Sequence, residues 1–410
     1  MFMILLASIF ALALCAYKIF IYSELSLVYP AFIVLSSIYT IIGGYYFDFA
    51  LDLPFNFHIG LSQEDWAFMA AALLYASLIY ILFNYFSNIL FNNKSGPKRL
   101  KYRMPINLEA RHHVSIFIVF FVILHLGYGG SALYSRTGYE IGHAGSNVAR
   151  QILLLVVPAL AFSISLYKSQ ISRFAFIMIG FIFLLGTGSR IYLVLPAFFM
   201  FGRIFLSDQP AKADAIIALV LITLGLGTFF DLRYSTQQGV FHNFSTVFFD
   251  SGFDGFVAGV NYLLSYSFFA SYETQRILTT NTMFLFESLA PIPGSMLDLS
   301  PMIVSRRLNV ASPFTAVGIL FGNIYLLTVS FAFLGFFWGW VFSVQSRVGT
   351  VWRILVLCCY LAFIVLSLQY NLRGTSRFIY LSFFILFCGH LAGRLKLRRL
   401  LHRKFSRSLI

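Results

Sequence analysis

Two short segments carry residue types suited to gripping an anion. Gly186, Thr187, Gly188, Ser189 and Arg190 precede Ile191, Tyr192 and Leu193, and Gly374, Thr375, Ser376 and Arg377 precede Phe378, Ile379, Tyr380 and Leu381. Each copy sits where a polar break opens a long apolar run. A Ser or Thr hydroxyl there can accept from the first free amides of a helix. An arginine directly after such a cap is out of place by dipole logic, which favours an acid at a helix N-terminus. Cation and helix amides together suit an anion bound between them. The competing explanation is an interfacial arginine that happens to follow a cap.

The elements that hold these residues are membrane spans. Hydrophobic residues make up 59% of the chain and charged residues 11%, with a mean hydropathy of +0.83. Apolar stretches of about 20 residues, enough to cross a bilayer core, recur along it. The pattern predicts an all-α polytopic integral membrane protein with eleven spans, near 2–20, 28–47, 66–91, 113–133, 150–167, 174–187, 190–206, 214–230, 313–343, 352–371 and 377–393. It reads as a single membrane domain over 1–410. The first stretch lacks the basic n-region and small-residue cleavage site of a signal peptide and is read as a span. Cys15, Cys358, Cys359 and Cys388 all fall in apolar runs as packing residues, with no disulfide or metal framework.

Short basic loops set the orientation. Lys94, Lys98, Arg99, Lys101, Arg103 and Arg111 crowd 92–112. Seven more basic residues make up the tail, 394–410, which faces anionic headgroups on the cytoplasmic side. With both inside, Lys168, Arg173, Arg203, Lys212, Arg347 and Arg353 also fall inside, and the N-terminus is outside. All eight lysines then lie on the cytoplasmic side, whereas the nine basic residues left outside are all arginine: Arg136, Arg150, Arg190, Arg233, Arg276, Arg306, Arg307, Arg373 and Arg377. Eleven of the fifteen acids lie outside too. Retention of positive charge alone gives no reason to prefer arginine there. Its planar fork binds phosphate or carboxylate with two bonds and stays charged when half buried. The outer face therefore reads as built for phosphate, pyrophosphate or acidic sugar, against ordinary arginine–carboxylate pairing. A net charge of +14 distributed this way does not call for nucleic acid.

One long outer loop, 231–312, opens with Asp231 and Arg233 and contains His242, Asp254 and Glu287. Its apolar segments 255–271 and 282–297 suit interfacial or re-entrant helices. Pro291 to Gly294 ends the second with a sharp turn. There is no Walker loop, no dinucleotide glycine pattern and no His/Cys ligand spacing, so neither cofactor nor metal is expected. His112 and His113 read as interfacial, and His125 as a packed, hydrogen-bonded histidine. Span centres are nearly free of charge, unlike those of most ion or solute transporters.

Together these features resemble the Wzy-type polymerases of bacterial O-antigen and capsule repeat units. The likeness lies in the span number, the large late outer loop, and outward arginines including Gly188, Ser189 and Arg190 at a span mouth. Also similar is the Pro291–Gly294 turn before a Gly-rich span (Gly318, Gly322, Gly335, Gly339). The outside N-terminus departs from the commoner pattern. The resemblance implies a metal-independent membrane glycosyltransferase in the bacterial cytoplasmic membrane, polymerising undecaprenyl-pyrophosphate-linked oligosaccharide repeat units and releasing undecaprenyl pyrophosphate. It implies lipid-linked substrates, membrane lipids and a chain-length regulator as partners. Arg190 and Arg377, with Ser189 and Ser376 at their helix mouths, are then the pyrophosphate ligands, joined by Arg233 and Arg373. Candidate bases are Asp231, His242, Asp254 and Glu287, and the sequence does not choose among them. An O-antigen ligase and a lipid-linked oligosaccharide transporter are the competing readings. A ligase depends on an outer-loop histidine, for which only His242 is available. A transporter needs a polar central cavity, which the span interiors do not supply.

Overall fold

The computed structural model describes residues 1–22, 24–49, 61–91, 110–138, 145–189, 191–205, 212–228, 232, 235–277, 289, 320, 323–345, 348–367 and 372–407. The chain runs through α1 (Phe2–Tyr22), α2 (Val28–Thr40), α3 (Gln63–Phe91), α4 (Ala110–Tyr128), α5 (Ser131–Tyr134), β1 (Arg136–Thr137), α6 (Asn147–Ser165), α7 (Gln170–Leu185), α8 (Ile191–Phe205), α9 (Lys212–Gly227), β2 (Gln237–Gln238), α10 (Val240–Ser245), α11 (Gly252–Ile277), α12 (Ile324–Val344), α13 (Thr350–Ser367) and α14 (Leu372–Arg407). Each of the eleven expected spans overlaps a helix, while 190, 206, 229–230, 313–319, 321–322 and 368–371 of those spans lie outside the described residues. Among the described residues six helical stretches are long and apolar enough to cross a membrane, and five shorter apolar helices accompany them. At 1.5 Å per residue, a 16-residue helix such as α7 covers about 24 Å, short of the roughly 30 Å hydrocarbon core. The architecture is that of an all-α multi-pass membrane protein, with large apolar side chains on its exterior, such as Phe10, Phe20, Leu82 and Leu155.

Contacts group the chain into two compact units, 1–100 with 264–410 and 101–263, so the boundary falls inside α11. In the first unit α3 and α12 pack closely. A Cβ at Gly335 would collide with the Tyr80 carbonyl, and one at Gly339 would lie 3.0 Å from the Asn84 carbonyl. Small residues four apart allow such backbone approach between membrane helices. Asn84 Nδ2 donates to Gly335 O at 3.2 Å, and its Oδ1 accepts from Ser26 Oγ at 3.1 Å. The hydroxyls of Tyr80 and Tyr360 both donate to the Ser26 carbonyl, at 2.9 and 2.5 Å. They satisfy the short turn Leu25–Leu27 that joins α1 to α2. This network is buried, polar and uncharged.

The second unit packs α4 and α6–α9 around Phe120, Phe181, Tyr192, Leu195 and Phe199. Helices α9 and α11 cross on small residues: a Cβ on Gly227 would strike Gly255, and one on Gly259 would strike the Thr223 carbonyl. The segment 255–271 is thus part of one continuous 26-residue helix.

Near the α7 N-terminus this unit buries charge. Arg173 Nε donates to Asp214 Oδ2 at 3.0 Å, with Nη2 at 2.9 Å, and Arg203 Nε lies 2.6 Å from the same oxygen. Arg173 also donates to the carbonyls of Tyr167 and Lys168, and Arg203 to that of Ser165. These carbonyls lie at and just after the end of α6, where free acceptors need donors. Arg173 and Arg203 read from sequence as loop cations. Each is only 5% exposed, because α6 offers them carbonyls and α9 offers an acid. His113 is buried against its neighbours as well. It is 6% exposed, its Nδ1 is 2.7 Å from Ser163 Oγ, and its ring lies against Tyr167.

Candidate functional site

The first Gly-Thr-Gly-Ser segment is a true break between two helices. α7 ends at Leu185 and α8 begins at Ile191. Thr187 N and Gly188 N donate to Leu184 O and Leu185 O, both at 3.0 Å. Gly188 has φ +66°, a left-handed conformation that reverses the chain and disfavours residues with a Cβ. Thr187 Oγ1 donates to Leu184 O at 2.7 Å and accepts from Ser189 N at 3.2 Å. Ser189 Oγ lies 3.1 Å from Thr187 Oγ1. The threonine hydroxyl therefore closes the turn and does not cap α8. Arg190 lies outside the described residues.

A small cap covers this end of α7. The strands β1 and β2 pair antiparallel, with Arg136 opposite Gln238 and Thr137 opposite Gln237. Arg136 Nη1 donates to Gly186 O at 2.6 Å and to Ala132 O at 3.1 Å, and Nη2 to Thr187 O at 3.3 Å. Asn243 Nδ2 donates to Leu185 O at 2.7 Å and to Gln238 Oε1 at 3.3 Å. Gln238 Nε2 in turn donates to Leu232 O. A guanidinium and a carboxamide thus satisfy the negative end of α7. Val240 packs so tightly on Gly186 that a Cβ there would collide with it. Gly239, at φ +122°, presses against the backbone of Tyr134 and Ser135.

This geometry revises the reading of the outer arginines. Of the nine, Arg136, Arg150 and Arg377 have described side chains. The fork of Arg136 holds carbonyls. Arg150 Nε donates to Gly127 O at 2.7 Å, and its guanidinium lies over the Tyr128 ring at 5.6 Å. Helix-end carbonyls are acceptors that suit a guanidinium as phosphate does, and sequence cannot tell the two apart.

The second copy differs from the first. Gly374, Thr375, Ser376 and Arg377 lie inside α14, which already begins at Leu372. Thr375 and Ser376 are buried at 0% and 2% exposure, and Arg377 is exposed. They do not form a cap before a helix. The reason is one residue: the first copy places Gly188 between Thr and Ser, whereas in the second Thr375 and Ser376 are adjacent and nothing reverses the chain. Arg373 is helical, and its side chain lies outside the described set.

Among the candidate bases, Asp231 and Glu287 lie outside the described residues, as does Arg233. Asp254 is exposed in the first turn of α11, where an acid favours the helix dipole. His242 is half-buried on α10, with Nε2 2.8 Å from Ser235 Oγ. Gln237 N donates to that same oxygen at 3.2 Å. Sequence reading did not find this pair, although Ser235 and His242 are only seven residues apart. The signal was the glycine at 239, which brings the chain back between them. His125 bears out its reading: Nδ1 lies 2.8 Å from Phe121 O and Nε2 3.0 Å from Tyr134 Oη. Since a carbonyl only accepts, Nδ1 carries the proton. Among the described residues no cluster of three or more His, Cys, Asp or Glu is arranged to hold a metal. Comparison with known protein families, curated proteins and solved structures finds no match to this chain.

Proposed function

We propose that the chain is a membrane-embedded glycosyltransferase of the bacterial inner membrane, which polymerises polyprenyl-pyrophosphate-linked oligosaccharide repeat units on the outer face. The observation that supports this best is the mouth between α7 and α8. There the carbonyls of α7 are already satisfied by Arg136 and Asn243. The polar character left at the junction is that of the α8 N-terminus, with Ser189 before it and Arg190 next in the sequence. Such an end favours an anion. A pyrophosphate leaving group develops negative charge as the glycosidic bond breaks, and fixed donors there stabilise the transition state by about 2–4 kcal/mol each. Arg190 is the first candidate ligand, with Arg233, Arg373 and Arg377 as further ones. His242, Asp231, Asp254 and Glu287 are the candidates for activating the acceptor hydroxyl.

The test is a gel of surface glycan from bacteria with and without the gene, and with Arg190→Lys. Loss of the ladder, leaving core with a single repeat unit, is the expected outcome: export and ligation continue and only elongation stops. Arg190→Lys keeps charge but loses the fork, and should give the same loss at normal protein level. Loss of every repeat unit from the core would replace this reading with a ligase or a transporter.

A further inference from the structure

We infer that Ser235 and His242 form a nucleophile–base pair that reacts with carboxylic esters, a role for His242 distinct from the acceptor activation for which it is a candidate in the glycan reading above. A hydroxyl has one proton and two lone pairs. Gln237 N–H donates to Ser235 Oγ, so the serine's own proton is free to point at His242 Nε2, 2.8 Å away. That nitrogen then accepts, and the ring proton sits on Nδ1. A serine hydroxyl donating to an imidazole within hydrogen-bond reach is the arrangement that activates a nucleophile. The Gln237 N–H adds a donor to the oxygen on which negative charge develops when the proton leaves.

The pair is held from both sides. Gln237 and Gln238 pair with Thr137 and Arg136, and Thr236 O accepts from Gly138 N at 2.8 Å. Gly239 lies against the Tyr134 backbone, and Asn243, next to His242, is tied to Leu185 O. Both side chains are nonetheless half-buried, not sealed. His125 offers the contrast, with both ring nitrogens bonded, one to the Phe121 carbonyl and the other to the Tyr134 phenol.

An activated serine hydroxyl attacks an acyl carbon, and an ester, whose alkoxide leaves more readily than the nitrogen of an amide, is the acyl substrate that asks least of a serine–imidazole pair. The beside-lying Phe241, 70% exposed and packed against Tyr134, supplies an apolar rim. In the reaction Ser235 Oγ bonds to the acyl carbon while its proton passes to Nε2. The C–O bond to the alcohol breaks, and the alcohol leaves with that proton. Water then attacks the acyl-serine, gives a proton to Nε2, and releases the carboxylic acid as Ser235 regains its hydrogen.

The test is labelling of the purified full-length protein in detergent with a fluorophosphonate, a probe selective for activated serines, followed by peptide mass spectrometry. The adduct should map to Ser235. Ser235→Ala should reduce labelling to background, and His242→Gln should slow it about a hundredfold, as loss of a general base does. Mapping on the wild-type protein needs no variant to fold. Turnover of p-nitrophenyl acetate or p-nitrophenyl palmitate should follow the same residues. Preference for the short ester assigns an O-acetyl source and preference for the long one a lipid acyl source. No adduct, or an adduct on another serine, overturns the inference.

Discussion

Replacing Asp214 by Asn is the sharpest test of the packing of the second unit. The change keeps the shape of the side chain and removes its charge. Two guanidiniums, Arg173 and Arg203, rest on one carboxylate oxygen at 2.9 and 2.6 Å. The side chains are 6%, 7% and 2% exposed. At an effective dielectric near 20, a charge pair about 4 Å apart attracts by about 4 kcal/mol. Two such attractions offset one arginine–arginine repulsion and the cost of burying three ions. Removing the shared anion leaves the repulsion and the desolvation in place, so the loss should fall at about 3–5 kcal/mol. The assay is thermal or denaturant unfolding of the purified protein in a fixed detergent. Adding Arg203→Gln should recover part of the loss by removing the excess cation, with a coupling of about 1–3 kcal/mol. That variant loses its bond to Ser165 O as well, so recovery should be incomplete. If Asp214→Asn unfolds within about 1 kcal/mol of wild type, the charge accounting is wrong, and the arginines are held by the α6 carbonyls alone.

Gly259→Ala should disrupt the α9–α11 crossing, because its Cβ would meet the Thr223 carbonyl. Overpacking of this kind costs about 1–3 kcal/mol or more, whereas Gly393→Ala, with nothing within 4 Å, should be neutral in the same melting assay. Glu24→Gln should raise the melting temperature slightly at pH 7 and not at pH 4. Burial raises the Glu24 carboxyl above its ordinary value, outweighing the lowering by Lys18. Its charged form is therefore penalised in the folded protein at high pH, and the penalty vanishes once the group is protonated in both states. Equal effects of Glu24→Gln at both pH values would refute that assignment. Gly188→Ala should impair glycan polymerisation more than it lowers stability. At φ +66° a Cβ costs about 1 kcal/mol and shifts the turn that leads into Ser189; unchanged glycan length would detach the turn from the site.

The helices were legible because their signal is long and local. The expected spans overlap helices among the described residues, as a run of about 20 apolar residues has few other ways to satisfy its backbone in a bilayer. The arginines were not legible, because their meaning depends on what lies opposite. Arg136 and Arg150 carry the composition of phosphate ligands and instead hold carbonyls at chain breaks. Arg173 and Arg203 read as loop cations, yet α9 brings Asp214 between them from 41 residues beyond Arg173. No local pattern announces a partner at that separation. His125 was readable as a packed residue, since one histidine in an apolar run must satisfy both nitrogens nearby.

The two anion-gripping segments show how narrow that margin is. They share Gly, Thr, Ser and Arg in the same order, and each precedes an apolar run. In one, α7 ends at Leu185, Gly188 takes a left-handed turn, and a new helix begins three residues later at Ile191. In the other, Ser376 follows Thr375 directly, the backbone stays helical, and both hydroxyls are buried. Hydroxyls in a helix interior bond to their own helix or to packed neighbours and cannot cap it. A motif defined by residue types therefore overstates the likeness, and the spacing of one glycine decides which copy can present helix amides to a ligand. Inserting a glycine between Thr375 and Ser376 should break α14 there and create a second mouth. Deleting Gly188 should fuse α7 to α8 and abolish the first. Circular dichroism gives the helix content of the purified variants. If the deletion leaves glycan length unchanged, the mouth between α7 and α8 is not where the anion binds.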